Sequence, residues 1–162
     1  MVTILRLVEQ VTNTVSEVDK LDSHMVLLAT KPKGVDGARA ERVLETINIA
    51  CNKNTLPSGT IAQDHAADVV DTSALNPGGI RVGAPAMTTR GFKEPEFATI
   101  VDFIDRAIKV AAAVQKSLPK EANKLKDWKA AIGDGSGYPD LVQLKKEVTE
   151  LSGGYPLPAL IE

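Results

Sequence analysis

Cysteine is almost missing from this chain. Cys51 stands alone among 162 residues, so it has no internal disulfide partner, and no Cys/His set has the spacing of a zinc site. That usage fits a reducing compartment. An excess of one charge is missing too: 19 Lys and Arg against 21 Asp and Glu leave a net charge of −2, which offers no basic field to nucleic acid or to an anionic membrane. No long apolar run is present. Met1 to Val8 is partly apolar, but Arg6 and Glu9 break it well short of a membrane-spanning length, and no signal-peptide pattern opens the chain. Glycine-rich phosphate loops are absent as well. Gly34-Val35-Asp36-Gly37 and Gly133-Asp134-Gly135-Ser136-Gly137 lack the spacing of either nucleotide-binding signature and read as turns and caps. There is no internal repeat. The expectation is a soluble, cytoplasmic protein with neither a nucleic-acid nor a membrane partner.

What is present is an ordinary globular composition, 43% hydrophobic and 25% charged, in a length that suits one main domain. Ile4, Leu7, Val8, Val11, Val15 and Val18 recur at helical steps and predict an amphipathic helix over Thr3 to Val18. His24 to Ala29 is a continuous apolar run bounded by polar residues, the pattern of a buried strand. Asp36 can cap a helix whose stripe is Ala40, Val43, Leu44, Ile47 and Cys51, although Ile47, Ile49 and Cys51 also alternate as a strand would. Leu56 to Pro77 is a long polar loop. Pro95 suits the opening of a helix carrying Phe97, Ile100, Val101, Ile104, Ile108, Ala111 and Ala112 to about Ser117. A shorter helix with Leu125, Trp128 and Ile132 stops at Gly133, and Pro139 opens a last one with Leu141, Leu144, Val148 and Leu151, ended by Gly153-Gly154. Four or five helices with two or three short strands make an α+β arrangement, a small sheet with helices packed against it.

Asn76 to Phe92 is the least generic stretch. Gly78 and Gly79 permit backbone conformations that other residues avoid, a short strand Ile80-Arg81-Val82 follows, and Pro85 turns the chain away. Ile80 and Val82 face one way and Arg81 the other. Arg81 therefore points either into a ligand pocket or into water, where an edge-strand arginine in a surface ion pair is the common outcome.

That stretch, together with Asn52-Lys53-Asn54-Thr55 and the run from Asp36 to Glu45, resembles the C-terminal part of serine hydroxymethyltransferase, in a eukaryotic style. The likeness runs from about Asp22 to Pro158, leaving residues 1–20 without a counterpart, residues 21–162 as a small C-terminal domain, and residues 60–71 as an inserted loop. It implies the C-terminal domain of a fold-type I pyridoxal-phosphate enzyme. In that family the cofactor forms a Schiff base with a lysine and acts as an electron sink, and the serine hydroxymethyl carbon passes to tetrahydrofolate, leaving glycine. The resemblance makes Arg81 the receptor of the amino-acid carboxylate, a task for a planar two-pronged donor. It also makes Asn54 a contact to the folate pterin, whose mixed edge an amide can match. Without the resemblance, Asn54 reads as a turn residue satisfying its own backbone.

The family's threonine run followed by His-Lys is not in this sequence; Thr88-Thr89-Arg90 is its nearest echo. The histidine that stacks on the cofactor, the aspartate that pairs with its ring nitrogen and the phosphate loop belong to a large domain. These residues alone are therefore expected to bind neither cofactor nor folate well and to be inactive until joined by that domain or by a full-length paralogue, in what is a homo-oligomer in the family. Two other readings stand beside this one: a non-catalytic oligomerisation or partner-binding module derived from the enzyme, and a gene-model fragment with a retained intervening sequence. A mitochondrial location is the alternative to the cytoplasm. His24 is expected at a strand entry, His65 in a solvated loop, Cys51 as a small buried hydrophobe and Lys53 in solvent. A domain cut from its neighbour is expected to leave apolar surface exposed.

Overall fold

A computed structural model describes residues 24–56, 77–119, 121 and 124–157. The predicted helix over Thr3 to Val18, the loop 60–71 with His65, and the tail from Pro158 lie outside the described residues.

Three strands, β1 (Met25–Ala29), β2 (Asn52–Asn54) and β3 (Gly79–Gly83), form an antiparallel sheet in the order β1-β3-β2. The helices are α1 (Gly37–Thr46), α2 (Pro85–Thr89), α3 (Glu94–Ser117), α4 (Leu125–Ile132) and α5 (Pro139–Gly153), with one 3-10 turn at Lys31–Lys33. The expected α+β arrangement is what the chain adopts. One element departs from the reading above: Pro85 does not merely turn the chain but starts α2, a single turn of helix with proline in its first positions, where a missing N–H is harmless.

Local chemistry accounts for the boundaries. The Asp36 side chain accepts from the Arg39 N–H at 2.9 Å and caps α1. Past Thr46 the backbone leaves the helix and Asn48 takes φ 65°, so the ambiguous Ile47–Cys51 alternation is a linker into β2 and not a strand of its own. Glu96 reaches back to the Lys93 N–H at 2.8 Å and fixes the start of α3.

Val26, Leu28 and Ile80 project from one sheet face into a core completed by Val43 and Leu44 of α1, Ile104 and Ile108 of α3, Trp128 and Ile132 of α4, and Leu141 and Leu144 of α5. The helical side chains among these lie on the stripes that periodicity picked out, whereas β1, a continuous apolar run expected to be buried on both faces, buries Val26 and Leu28 but leaves Met25 exposed and Leu27 half-buried. The opposite sheet face is different, with Met25, Arg81 and Asn52 exposed and Leu27 and Asn54 half-buried.

Gly78 and Gly79 serve a purpose other than the expected one. Neither has a positive φ. What matters is close approach: a Cβ on Gly79 would sit 2.3 Å from the Leu28 carbonyl oxygen, and one on Gly37 would sit 2.1 Å from the Gly79 oxygen. The Gly78 carbonyl accepts from the N–H groups of Thr30 and Lys31 at 3.0 and 3.1 Å, and Gly37 N–H donates to the Pro77 carbonyl at 2.7 Å. The entry to β3 is thereby held against both β1 and α1.

Candidate functional site

Arg81 lies on the central strand, not on an edge. Its direct neighbours across the ladder are Leu27 on β1 and Asn52 on β2. Along β3 the residues two positions away, which share its face, are Gly79 and Gly83, so no side chain from its own strand stands beside it. The guanidinium is exposed and has no ion-pair or hydrogen-bond partner among the described residues, and the surface ion pair expected of an idle arginine is not made. A fork of donors left open on a rigid strand is chemically suited to a carboxylate or another planar anion.

Asn54 stands on the same face. It pairs with Gly79 while Asn52 pairs with Arg81, so Asn54 occupies the diagonal position to the arginine, a spacing of roughly 7–8 Å within reach of long side chains. Its Nδ2 donates to the Thr55 carbonyl, the local backbone bond that a turn asparagine makes, and its amide oxygen takes no partner among the described residues. One acceptor therefore remains for a ligand.

Lys53 projects from the other face and is not a free solvated lysine. One oxygen of Glu41 on α1 accepts from the Lys53 backbone N–H at 3.1 Å, and the other pairs with its ammonium at 3.2 Å. Sequence reasoning missed Glu41. Its position on the outer side of α1 carries no signal, because the contact forms only once a three-residue strand lies alongside the helix. The clamp ties β2, and with it Asn52 and Asn54, to the body of the domain.

Cys51 packs half-buried against the core just before β2. Burial first, then the charges of Glu41 and Glu45, push its thiol up to about 12. It stays protonated at neutral pH and is no nucleophile. His24 is exposed at the strand entry, and its carbonyl accepts from the Ala84 N–H at 2.9 Å, the structural position expected of it.

Pyridoxal phosphate needs a lysine in a setting that releases the proton from its ammonium. No described lysine is buried. Lys33 and Lys53 sit in ion pairs with Asp105 and Glu41, and a bond from Asp105 holds the Lys109 ammonium above its usual range. The described residues therefore do not fit the cofactor's anchoring end. Among the described residues, no group of acidic, His or Cys side chains could hold a metal ion, and no helix is long and apolar enough to cross a membrane.

The family model of serine hydroxymethyltransferase matches residues 4–104. A probable cytosolic serine hydroxymethyltransferase of Schizosaccharomyces pombe is 61% identical over 139 residues, covering 86% of this chain and 27% of the relative. The cytosolic serine hydroxymethyltransferase of Aspergillus fumigatus is 52% identical over 140 residues, with the same coverage of 86% and 27%. A putative mitochondrial serine hydroxymethyltransferase of Neurospora crassa is 45% identical over 146 residues, covering 85% of this chain and 24% of its own length. The chain spans about a quarter of the length of these relatives.

Proposed function

This chain belongs to the serine hydroxymethyltransferase family, and from that premise we propose that it is the C-terminal, small-domain part of such an enzyme, in which Arg81 receives the substrate carboxylate and Asn54 contacts folate. The observation that carries the reading is the open guanidinium of Arg81 on the central strand, with Asn54 on the same face one diagonal step away.

The division of labour follows from the chemistry. Arg81 binds the carboxylate of serine or glycine through two parallel N–H···O bonds and fixes the orientation of the amino acid. Asn54 offers its amide oxygen to the N–H edge of the pterin ring of tetrahydrofolate. Pyridoxal phosphate, when bound, supplies the electron sink for cleavage of the serine side chain. Its lysine comes from a large domain, so these 162 residues by themselves do not catalyse the transfer. The partner is that domain, in the same polypeptide or a separate one, within a homo-oligomer. The cytosolic names of the Schizosaccharomyces and Aspergillus relatives support a cytosolic location.

A chimera tests this directly. Residues 24–157 replace the matching segment of the Schizosaccharomyces pombe relative, and serine cleavage is measured with and without tetrahydrofolate. The expected result is an active enzyme in which Arg81→Ala raises the serine KM about 10- to 100-fold, the loss expected for hydrogen bonds to a charged group. Asn54→Ala is expected to raise the folate KM about 5- to 10-fold with the serine KM unchanged. An inactive chimera that still binds pyridoxal phosphate, or an unaltered serine KM in Arg81→Ala, overturns the proposal.

A further inference from the structure

The residues flanking Arg81 on its own strand and face are Gly79 and Gly83, so a side chain that steadies its guanidinium has to stand across the ladder. On the β1 side the direct partner is Leu27 and the diagonal ones are Met25 and Ala29, all apolar. On the β2 side the direct partner is Asn52. Directly opposed residues bring their Cβ atoms to roughly 4.5–5.5 Å. An asparagine amide ends two bonds beyond Cβ, an arginine Nε lies three bonds beyond and the terminal nitrogens five. The Asn52 amide therefore stands level with the Arg81 Nε and short of the tip of the fork.

The two asparagines of β2 differ in what they have left to offer. Asn54 donates its Nδ2 to the Thr55 carbonyl, whereas the Asn52 amide is exposed and has no hydrogen-bond partner among the described residues. Its backbone is nevertheless held firmly, by the pairing with Arg81 and by the clamp of Glu41 on the next residue, Lys53.

We propose that Asn52 is a positioning residue for Arg81: its amide oxygen accepts from the Arg81 Nε–H while the two terminal nitrogens grip the substrate carboxylate. The inference rests on the reading of Arg81 as the carboxylate receptor. An arginine has five N–H donors and a carboxylate takes two of them in parallel. Holding Nε selects the terminal edge of the fork and removes rotamer freedom that the ligand would otherwise have to overcome. A neutral acceptor suits this task better than a carboxylate would, because it orients the guanidinium without pairing its charge and so leaves that charge for the ligand. The structure shows no bond between the two side chains. Hydrogen bonds in binding sites often close only in the complex, and the carboxylate, by drawing the arginine into one rotamer, closes this one.

The chimera described above reads this out. Asn52→Ala should raise the serine KM about 3- to 10-fold, as expected for one lost hydrogen bond to a charged group, with the folate KM and the thermal midpoint unchanged. Arg81→Lys removes the Nε–H. In that background, and in Arg81→Ala, adding Asn52→Ala should change the serine KM by less than about twofold, because a residue that acts through another then has nothing to act on. An unaltered serine KM in Asn52→Ala overturns the proposal. So does an equal rise in all three backgrounds, which would make Asn52 a direct or structural contributor, and so does a rise confined to the folate KM, which would make it a folate contact. In each of these cases the reading of Arg81 stands as long as Arg81→Ala alone raises the serine KM. If it does not, or if the chimera is inactive, that reading falls and the inference with it.

Discussion

Arg81 and Asn54 stand 27 positions apart in the chain, separated by a long polar stretch, yet the β2–β3 register sets them one diagonal step apart on a single sheet face. Backbone pairing fixes that relationship, so the length and composition of the connection do not enter it. Two ligands that must react with one another need this kind of rigid mounting of the groups that hold them, because misplacement by about 1 Å can cost a hundredfold in rate.

Arg81 itself contributes little to the fold. Its side chain is exposed and has no partner among the described residues, so Arg81→Ala should change unfolding free energy by no more than about 0.5 kcal/mol. Urea denaturation of the purified chain checks this, and a large loss would mean that the arginine is structural after all.

Glu41 should matter more to β2 than to the domain. Replacing it, Glu41→Gln, removes the ion pair with Lys53 and weakens the bond to the Lys53 N–H, at an expected cost of about 0.5–1.5 kcal/mol. Amide exchange at Lys53 should quicken while exchange in α3 hardly changes. In the chimera described above, the folate KM should rise without a change in thermal midpoint large enough to explain it.

Gly79→Ala places a methyl group 2.3 Å from the Leu28 carbonyl oxygen, a backbone atom that cannot swing aside. The expected destabilisation is about 1–3 kcal/mol or more. Gly137→Ala is the matched control, since a Cβ there meets nothing within 4 Å, and it should be tolerated.

Asp105 gives the fold an acid-sensitive joint. Burial alone would raise its pKa, but bonds and charges from Lys109 and Lys33 outweigh that and hold the carboxyl below the usual carboxylate range. A lowered folded value means that the stabilisation is complete above the unfolded pKa of about 4 and is lost as pH falls through the folded value. Thermal midpoints should therefore drop below about pH 4, and Asp105→Asn should flatten that part of the profile. An identical acid limb in the variant would show that other carboxylates carry it.

Cys51 should resist alkylation at pH 7.5 in the folded chain and react once urea exposes it, because the thiol is pushed up to about 12 by burial and by Glu41 and Glu45. Rapid modification under native conditions would contradict its packed position.

Periodicity and capping residues were enough to place α1, α3, α4, α5 and β1, but not the single turn α2. The stripes on α1, α3, α4 and α5 are dense, and Asp36, Pro95, Gly133 and Pro139 mark their ends with local chemistry that needs no tertiary partner. Arg81 was also legible, as an arginine between two core residues in a short strand. Other features were decided only by folding. Asn52 to Asn54 is too short and polar to announce a strand; it becomes one because β3 offers its edge and Glu41 clamps it. The glycines before Arg81 suggested unusual dihedrals, whereas the structure uses them for the contact of Gly79 with Leu28 and Gly37. Local sequence carries local preferences, so it determined the elements and the odd arginine. Cross-strand register and the approach of backbones distant in the chain are pairwise properties, and only the tertiary structure could decide that Arg81 is central, without a partner among the described residues, and beside Asn54.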